Sequence, residues 1–123
     1  MKLEEFRVYQ NTMEMGEEVW EIVMEWDKFA KNTMGSQLVR SADSVAANMS
    51  EGLGRYHYKE TKNFSYYSRG SLFETKTWLT KAKNRKLVDE ETFSNFVKTI
   101  DDIGVKLNNY IRSIGKTEPY KSS

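Results

Sequence analysis

Proline occurs once in this 123-residue chain, at position 119. Proline lacks a backbone N–H and its ring clashes with the preceding turn, so it ends or kinks helices. A chain free of it up to that point can run long helices without interruption. Apolar residues recur along the chain at spacings of three and four, the period of one helix face, and nothing alternates with period two. Together these features predict an all-α protein, an antiparallel up-and-down four-helix bundle.

Four segments carry the pattern. The first runs from about Glu4 to Trp26. Its expected core line is Phe6, Tyr9, Met13, Gly16, Trp20 and Val23, with a second apolar line, Met15, Val19, Ile22 and Trp26, beside it. A break is expected near Lys31-Asn32-Thr33, where Gly35-Ser36 offers an N-cap. The second segment runs from Ser36 to Gly52 with Leu38, Ala42, Val45 and Met49 inward. Ala46 and Ala47 are small enough to let a neighbouring helix approach. The third spans Tyr58 to Lys86, and Lys81, Lys83, Arg85 and Lys86 suit the negative end of its dipole. The fourth opens at Asp89-Glu90-Glu91 and continues through Phe93, Val97, Ile100, Gly104, Leu107, Ile111 and Ile114. Short loops make successive helices antiparallel neighbours. The expected organisation is one bundle domain over residues 1–115 and a mobile tail over 116–123.

Composition removes several function classes. Cysteine is absent, so no disulfide framework or thiolate metal site can form. No stretch approaches the roughly 20 apolar residues that span a bilayer. The start, Met1-Lys2-Leu3-Glu4-Glu5, lacks the apolar core of a signal peptide, so a reducing, cytoplasmic setting without membrane contact is expected. The net charge is only +1, but it is unevenly placed. Residues 1–30 hold three basic groups against eight acidic ones, a balance of −5, and residues 55–86 hold nine against two, a balance of +7. A neutral chain with one strongly basic segment is a better anion binder than its total charge suggests.

Polar residues interrupt the expected core. On the third helix Phe64, Tyr67, Ser71, Glu74 and Trp78 keep the spacing of one face, which puts Ser71 and Glu74 in line with three aromatic rings. The second helix has a matching line, Gln37, Arg40, Ser44, Asn48, Glu51 and Arg55. Antiparallel packing sets the two lines against each other as a polar seam of Arg40, Ser44, Asn48, Glu51, Ser71 and Glu74. A carboxylate facing a core needs a partner. Arg40, Ser44 and Asn48 are the expected partners of Glu74, and Arg55 that of Glu51, one turn away. The seam reads mainly as a buried network fixing helix register. The competing assignment gives Glu51 and Glu74 acid/base or metal-holding work. Di-iron bundles need paired Glu-x-x-His motifs, and the one histidine, His57, has no glutamate three positions before it. No catalytic residue, metal ligand or cofactor is therefore expected.

A basic stripe marks the third helix. Lys62, Arg69, Lys76 and Lys83 recur every seven residues, with Tyr66 and Phe73 between them at the same spacing. Seven residues are two turns, or about 10.5 Å. Lysine and arginine neutralise phosphates and exposed aromatic rings stack on unpaired bases, so Arg55, Lys59, Lys62, Tyr66, Arg69, Phe73, Lys76 and Lys83 form a candidate surface for RNA or DNA. The alternative is a solvated flank whose rings pack at a subunit contact. The doubled apolar surface of the first helix independently suggests a subunit interface.

Gln37-Leu38-Val39-Arg40-Ser41-Ala42, Ser44-Val45, Asn48, Glu51-Gly52 and Gly54-Arg55 resemble the signature of the bacterial four-helix bundle proteins first described from reading frames inside ribosomal RNA intervening sequences. Gly70-Ser71-Leu72-x-Glu74-Thr75 is similar to that family's second motif, and Phe6-Arg7-Val8-Tyr9-Gln10 to its first helix. The resemblance implies a four-helix protomer in a homopentamer, without known catalytic activity. A relative of that fold, the accessory protein of diversity-generating retroelements, is a basic pentamer that binds nucleic acid and a reverse transcriptase. Val39-Arg40 stands where members often carry two basic residues, and Ala46 where many carry proline. The first departure removes a positive charge, and the second leaves the helix straighter. The function these features support is that of a non-catalytic, homo-oligomeric binding or scaffold protein that contacts RNA or DNA through helix three. The alternative is an adaptor for partner proteins, in which the acidic first and basic third helices meet partners or each other between subunits.

Overall fold

The computed structural model describes residues 3–116, with side chains from Arg7 onward. Four long helices run up and down: α1 (Leu3–Met24), α2 (Ser36–Leu53), α3 (Tyr58–Asn84) and α4 (Glu90–Ser113). Among the described residues there is no strand. Phe6 as a side chain and the expected tail beyond Lys116 lie outside the described residues. Each helix packs on its neighbours in sequence, α4 closes against α1, and α2 and α3 share the most extensive contact.

The break between α1 and α2 falls earlier than the composition of 31–33 suggested. Asp27 is extended (φ −63°, ψ 164°) and its carboxylate accepts the Ala30 N–H at 3.0 Å, which starts a new helical turn at Lys28–Ala30. An N-cap carboxylate satisfies donors that the first turn leaves orphaned. The chain then passes through a π-helical stretch, Lys31–Gly35, straight into α2, so Gly35-Ser36 is no cap. The wider turn brings Met34 and Gly35 inward together. A Cβ on Gly35 would lie 2.6 Å from Val23 Cγ1, so glycine is what lets this stretch lie against α1. At the other end Asp89 caps α4, accepting the Thr92 N–H at 2.7 Å.

α3 ends in a Schellman turn. Leu87 N–H donates to Ala82 O (2.8 Å) and Lys86 N–H to Lys83 O (3.0 Å), with Lys86 in the left-handed region at φ 63°. After α4, Gly115 holds φ 84° with its Cα hydrogens facing the Tyr58 ring, where an added Cβ would meet Cδ2 at 3.3 Å.

Two apolar clusters fill the bundle. One joins Met15, Val19, Trp26, Met34, Leu38, Val45, Leu72, Leu79, Phe96 and Ile103; the other joins Val8, Met49, Tyr58, Leu107, Tyr110, Ile111 and Ile114. The inward line expected for α2 is the observed one. The α1 lines are merged: Gly16 and Val23 of the expected core line are buried together with Met15, Val19 and Trp26 of the second, whereas Met13 and Trp20 face outward.

The α3 face is rotated by one position from expectation. Its buried line is Tyr58, Thr61, Ser65, Ser68, Leu72, Thr75, Leu79 and Ala82. Phe64, Ser71 and Trp78 are half-buried, and Tyr67 and Glu74 are exposed. A polar seam does join α2 to α3, but small hydroxyls build it. Thr61 Oγ1 donates to Gly52 O (2.8 Å), Ser68 Oγ to Val45 O (2.6 Å), and Thr75 Oγ1 lies 3.1 Å from Ser41 Oγ. Such hydroxyls can face a core because a carbonyl is always within reach, on their own helix or the next. Their size lets the backbones close up, and a Cβ on Gly52 would stand 3.0 Å from both Thr61 O and Phe64 Cβ.

Candidate binding surfaces

The expected seam residues lie on the outer surface of the α2/α3 pair. Arg40, Glu51 and Glu74 are exposed, and Ser44, Asn48 and Ser71 are half-buried. They do not lock the helices, because the closer approach of Thr61, Ser65, Ser68 and Thr75 occupies the interface. Glu74 accepts from Trp78 Nε1 at 3.2 Å, one turn along its own helix, not from α2. Asn48 Nδ2 donates to Ser44 O (2.9 Å). The expected Glu51–Arg55 pair forms at 3.6 Å, and Arg55 also meets Glu60 at 3.4 Å and lies 4.8 Å from the centre of the Phe64 ring. Glu51 and Glu74 thus engage neighbours on open helix faces. Among the described residues no group of three or more acidic, histidine or cysteine side chains is placed to hold a metal ion.

The basic stripe runs beside α4, and several of its charges are already met. Lys76 Nζ pairs with Asp101 at 3.2 Å, and Lys83 Nζ with Glu90 at 3.1 Å while lying 4.9 Å from the centre of the Phe93 ring. With Arg55 this takes three of the proposed phosphate contacts into intramolecular pairs. Exposed pairs of this kind are each worth only about 0–1 kcal/mol, yet they lower the charge a phosphate would see.

Lys59, Lys62 and Arg69 form no ion pair among the described residues. Arg69 is held all the same. Its Nη1 donates to Asn108 Oδ1 at 2.9 Å, and its guanidinium lies 5.0 Å from the centre of the Tyr66 ring. Tyr66 and Phe73 flank it and are 42% and 62% exposed. The α3 surface therefore presents two rings one heptad apart with a fixed, carboxylate-free cation between them.

A second surface lies where the spacing of Met13 and Trp20 predicts core. On α1, Met13, Glu17, Trp20 and Met24 follow at spacings of 4, 3 and 4, all exposed. Beside them a groove of about 280 Å³ opens between α1 and α2, floored by Ala46, Ala47 and Ser50 and rimmed by Glu17 and Asp43. Gly16 faces this rim, where an added Cβ would lie 2.8 Å from Asp43 Oδ1 and push that side chain aside. Partial burial, and then the nearby Glu17 charge, push the Asp43 carboxyl above its ordinary value. Glu17 was the available signal: it shares a face with Met13 and Trp20 at spacings of 4 and 3, as Gly16 does at 3 and 4, and a core face does not take an unpaired carboxylate.

A model of the 23S rRNA-intervening sequence protein family matches residues 4–109, the whole bundle from the start of α1 into α4. The chain belongs to this family. Among solved structures, this chain is similar to a protein of unknown function from the S23 ribosomal protein family of Bacteroides thetaiotaomicron. The two superpose with a TM-score of 0.81 at 19% identity, over 89% of this chain and 99% of that one. At that identity the likeness establishes the four-helix fold. No curated protein matches the sequence. No helix among the described residues is long and apolar enough to cross a membrane.

Proposed function

We propose that this chain is a non-catalytic scaffold protein that assembles with copies of itself in the cytoplasm, with the aromatic and basic face of α3 as a contact surface. The observation that supports it is the exposure of Tyr66 and Phe73 on either side of Arg69, a cation with no carboxylate partner. Large apolar side chains gathered on a monomer surface mark places that a partner covers. The family resemblance adds a stoichiometry, five copies. Light scattering after size exclusion tests it: the expected mass is a multiple of 14.4 kDa, lowered by Phe73→Asp. A single-chain mass across the micromolar range would refute it.

A second reading has the same face take single-stranded RNA or DNA, and the unpaired Lys59, Lys62 and Arg69 favour it. Three phosphate contacts would give a slope of log affinity against log salt of roughly −2 to −3. Fluorescence anisotropy with labelled RNA and DNA at two salt concentrations measures this. Binding that survives Lys62→Glu with Arg69→Glu would exclude the face.

A further inference from the structure

We infer that the occupant of the α3 face is α1 of a second copy, lying alongside in the same direction, with Met13 against Tyr66, Trp20 against Phe73 and Glu17 against Arg69. This rests on the self-association proposed above and names the surface that meets α3.

Three observations converge on the pairing. The first is spacing. Met13 and Trp20 are seven residues apart on the exposed line of α1, and Tyr66 and Phe73 are seven apart on α3. Both intervals are about 10.5 Å along a helix, so two apolar side chains on one surface meet two on the other. The second is the charge between them. Glu17 lies four residues after Met13 and Arg69 three after Tyr66, a mismatch of about 1.5 Å along the axes that an arginine side chain easily spans. Neither group forms an ion pair among the described residues: the Glu17 charge lies near enough to the Asp43 carboxyl to raise its pKa, and Arg69 donates to the neutral amide of Asn108. The third is the balance of the segments, −5 over residues 1–30 and +7 over 55–86, which favours α1 meeting α3 over either meeting itself.

Direction follows from the bundle. In an up-and-down bundle α1 and α3 point the same way. Rotation about an axis along the bundle therefore leaves α1 of one copy parallel to α3 of the next. The contact uses two different surfaces, so each copy keeps one of each free for a further neighbour, and assembly proceeds beyond a dimer.

Charge exchange tests the pairing. Glu17→Arg and Arg69→Glu are each expected to weaken assembly roughly tenfold or more, read as a fall in light-scattering mass on dilution, and the double variant to restore it. Circular dichroism establishes that each variant folds. Register has its own readout, because the chain has no cysteine. Met13→Cys with Tyr66→Cys should cross-link copies on oxidation, whereas Met13→Cys with Phe73→Cys should not. An assembly indifferent to the single reversals, or not rescued by the double, overturns the pairing and leaves self-association standing. A single-chain mass for the unaltered protein overturns both. A single-chain mass with salt-sensitive RNA or DNA binding lost in Arg69→Glu assigns the face to nucleic acid instead.

Discussion

Replacing Ser68 by valine, and separately Ser71 by valine, distinguishes the observed face of α3 from the one its aromatic residues suggest. Ser68 is fully buried and its Oγ sits 2.6 Å from Val45 O on α2. Valine removes that hydrogen bond, a loss of about 1 kcal/mol. Val45 O also lies inside a helix, so no buried acceptor is left without a donor. The larger effect is steric. A methyl carbon rests against a carbonyl oxygen at about 3.3–3.6 Å, so the two backbones must separate by roughly 0.7–1 Å. Overpacking of this size costs about 1–3 kcal/mol, and the sum is about 2–4 kcal/mol. For a domain of this length that lowers the thermal midpoint by roughly 8–15 °C. Ser71 is half-buried with its side chain outside this contact, and its valine variant should shift the midpoint by about 2 °C or less. Both are read by circular dichroism melts at one fixed protein concentration, because assembly makes the midpoint concentration-dependent. Equal effects, or a larger effect at Ser71, would refute the placement of the seam.

Two further predictions follow from local geometry. Lys86 holds a left-handed conformation that costs an L-residue about 1–2 kcal/mol, so Lys86→Gly should raise the melting midpoint by a few degrees and leave assembly unchanged. Burial and Glu17 raise the Asp43 pKa, which means that its charged form weakens the fold above that pKa, and that this penalty disappears once acid protonates folded and unfolded chains alike. Asp43→Asn should therefore stabilise the protein at pH 7, with the gain shrinking as pH falls through the raised Asp43 pKa and largely gone below about pH 4 in a pH series of melts.

The parts of this structure legible in the sequence are those where bulk and burial coincide. Leu38, Ala42, Val45 and Met49 fall inward as their spacing requires, and Ile100, Leu107 and Ile111 do the same on α4. α1 and α3 mislead for one physical reason. Large side chains expected inward, Met13, Trp20 and Tyr67, face outward, while Thr12, Ser65, Ser68 and Thr75 are buried. A hydroxyl that donates to a carbonyl carries little penalty for burial, so size and hydropathy stop marking the core. Absence of charge still marks it. The line Thr61, Ser65, Ser68, Leu72, Thr75, Leu79 contains no ionisable side chain, and the rejected line contains Glu74. The stripe of Lys62, Arg69, Lys76 and Lys83 was visible in full, but its pairing with Asp101 and Glu90 depends on how α4 lies across it, which helix periodicity does not carry.

The short hydroxyl side chains between α2 and α3 have a consequence for whatever meets the molecule. Serine and threonine have one torsion each, and here those torsions are fixed by hydrogen bonds. The hairpin of α2 and α3 therefore has little slack to give up. The backbone positions of Tyr66, Arg69 and Phe73 are spaced before a partner arrives, and the Arg69 side chain is already clamped between Asn108 and Tyr66. Association through Arg69 loses little side-chain entropy, because that guanidinium was ordered when the chain folded.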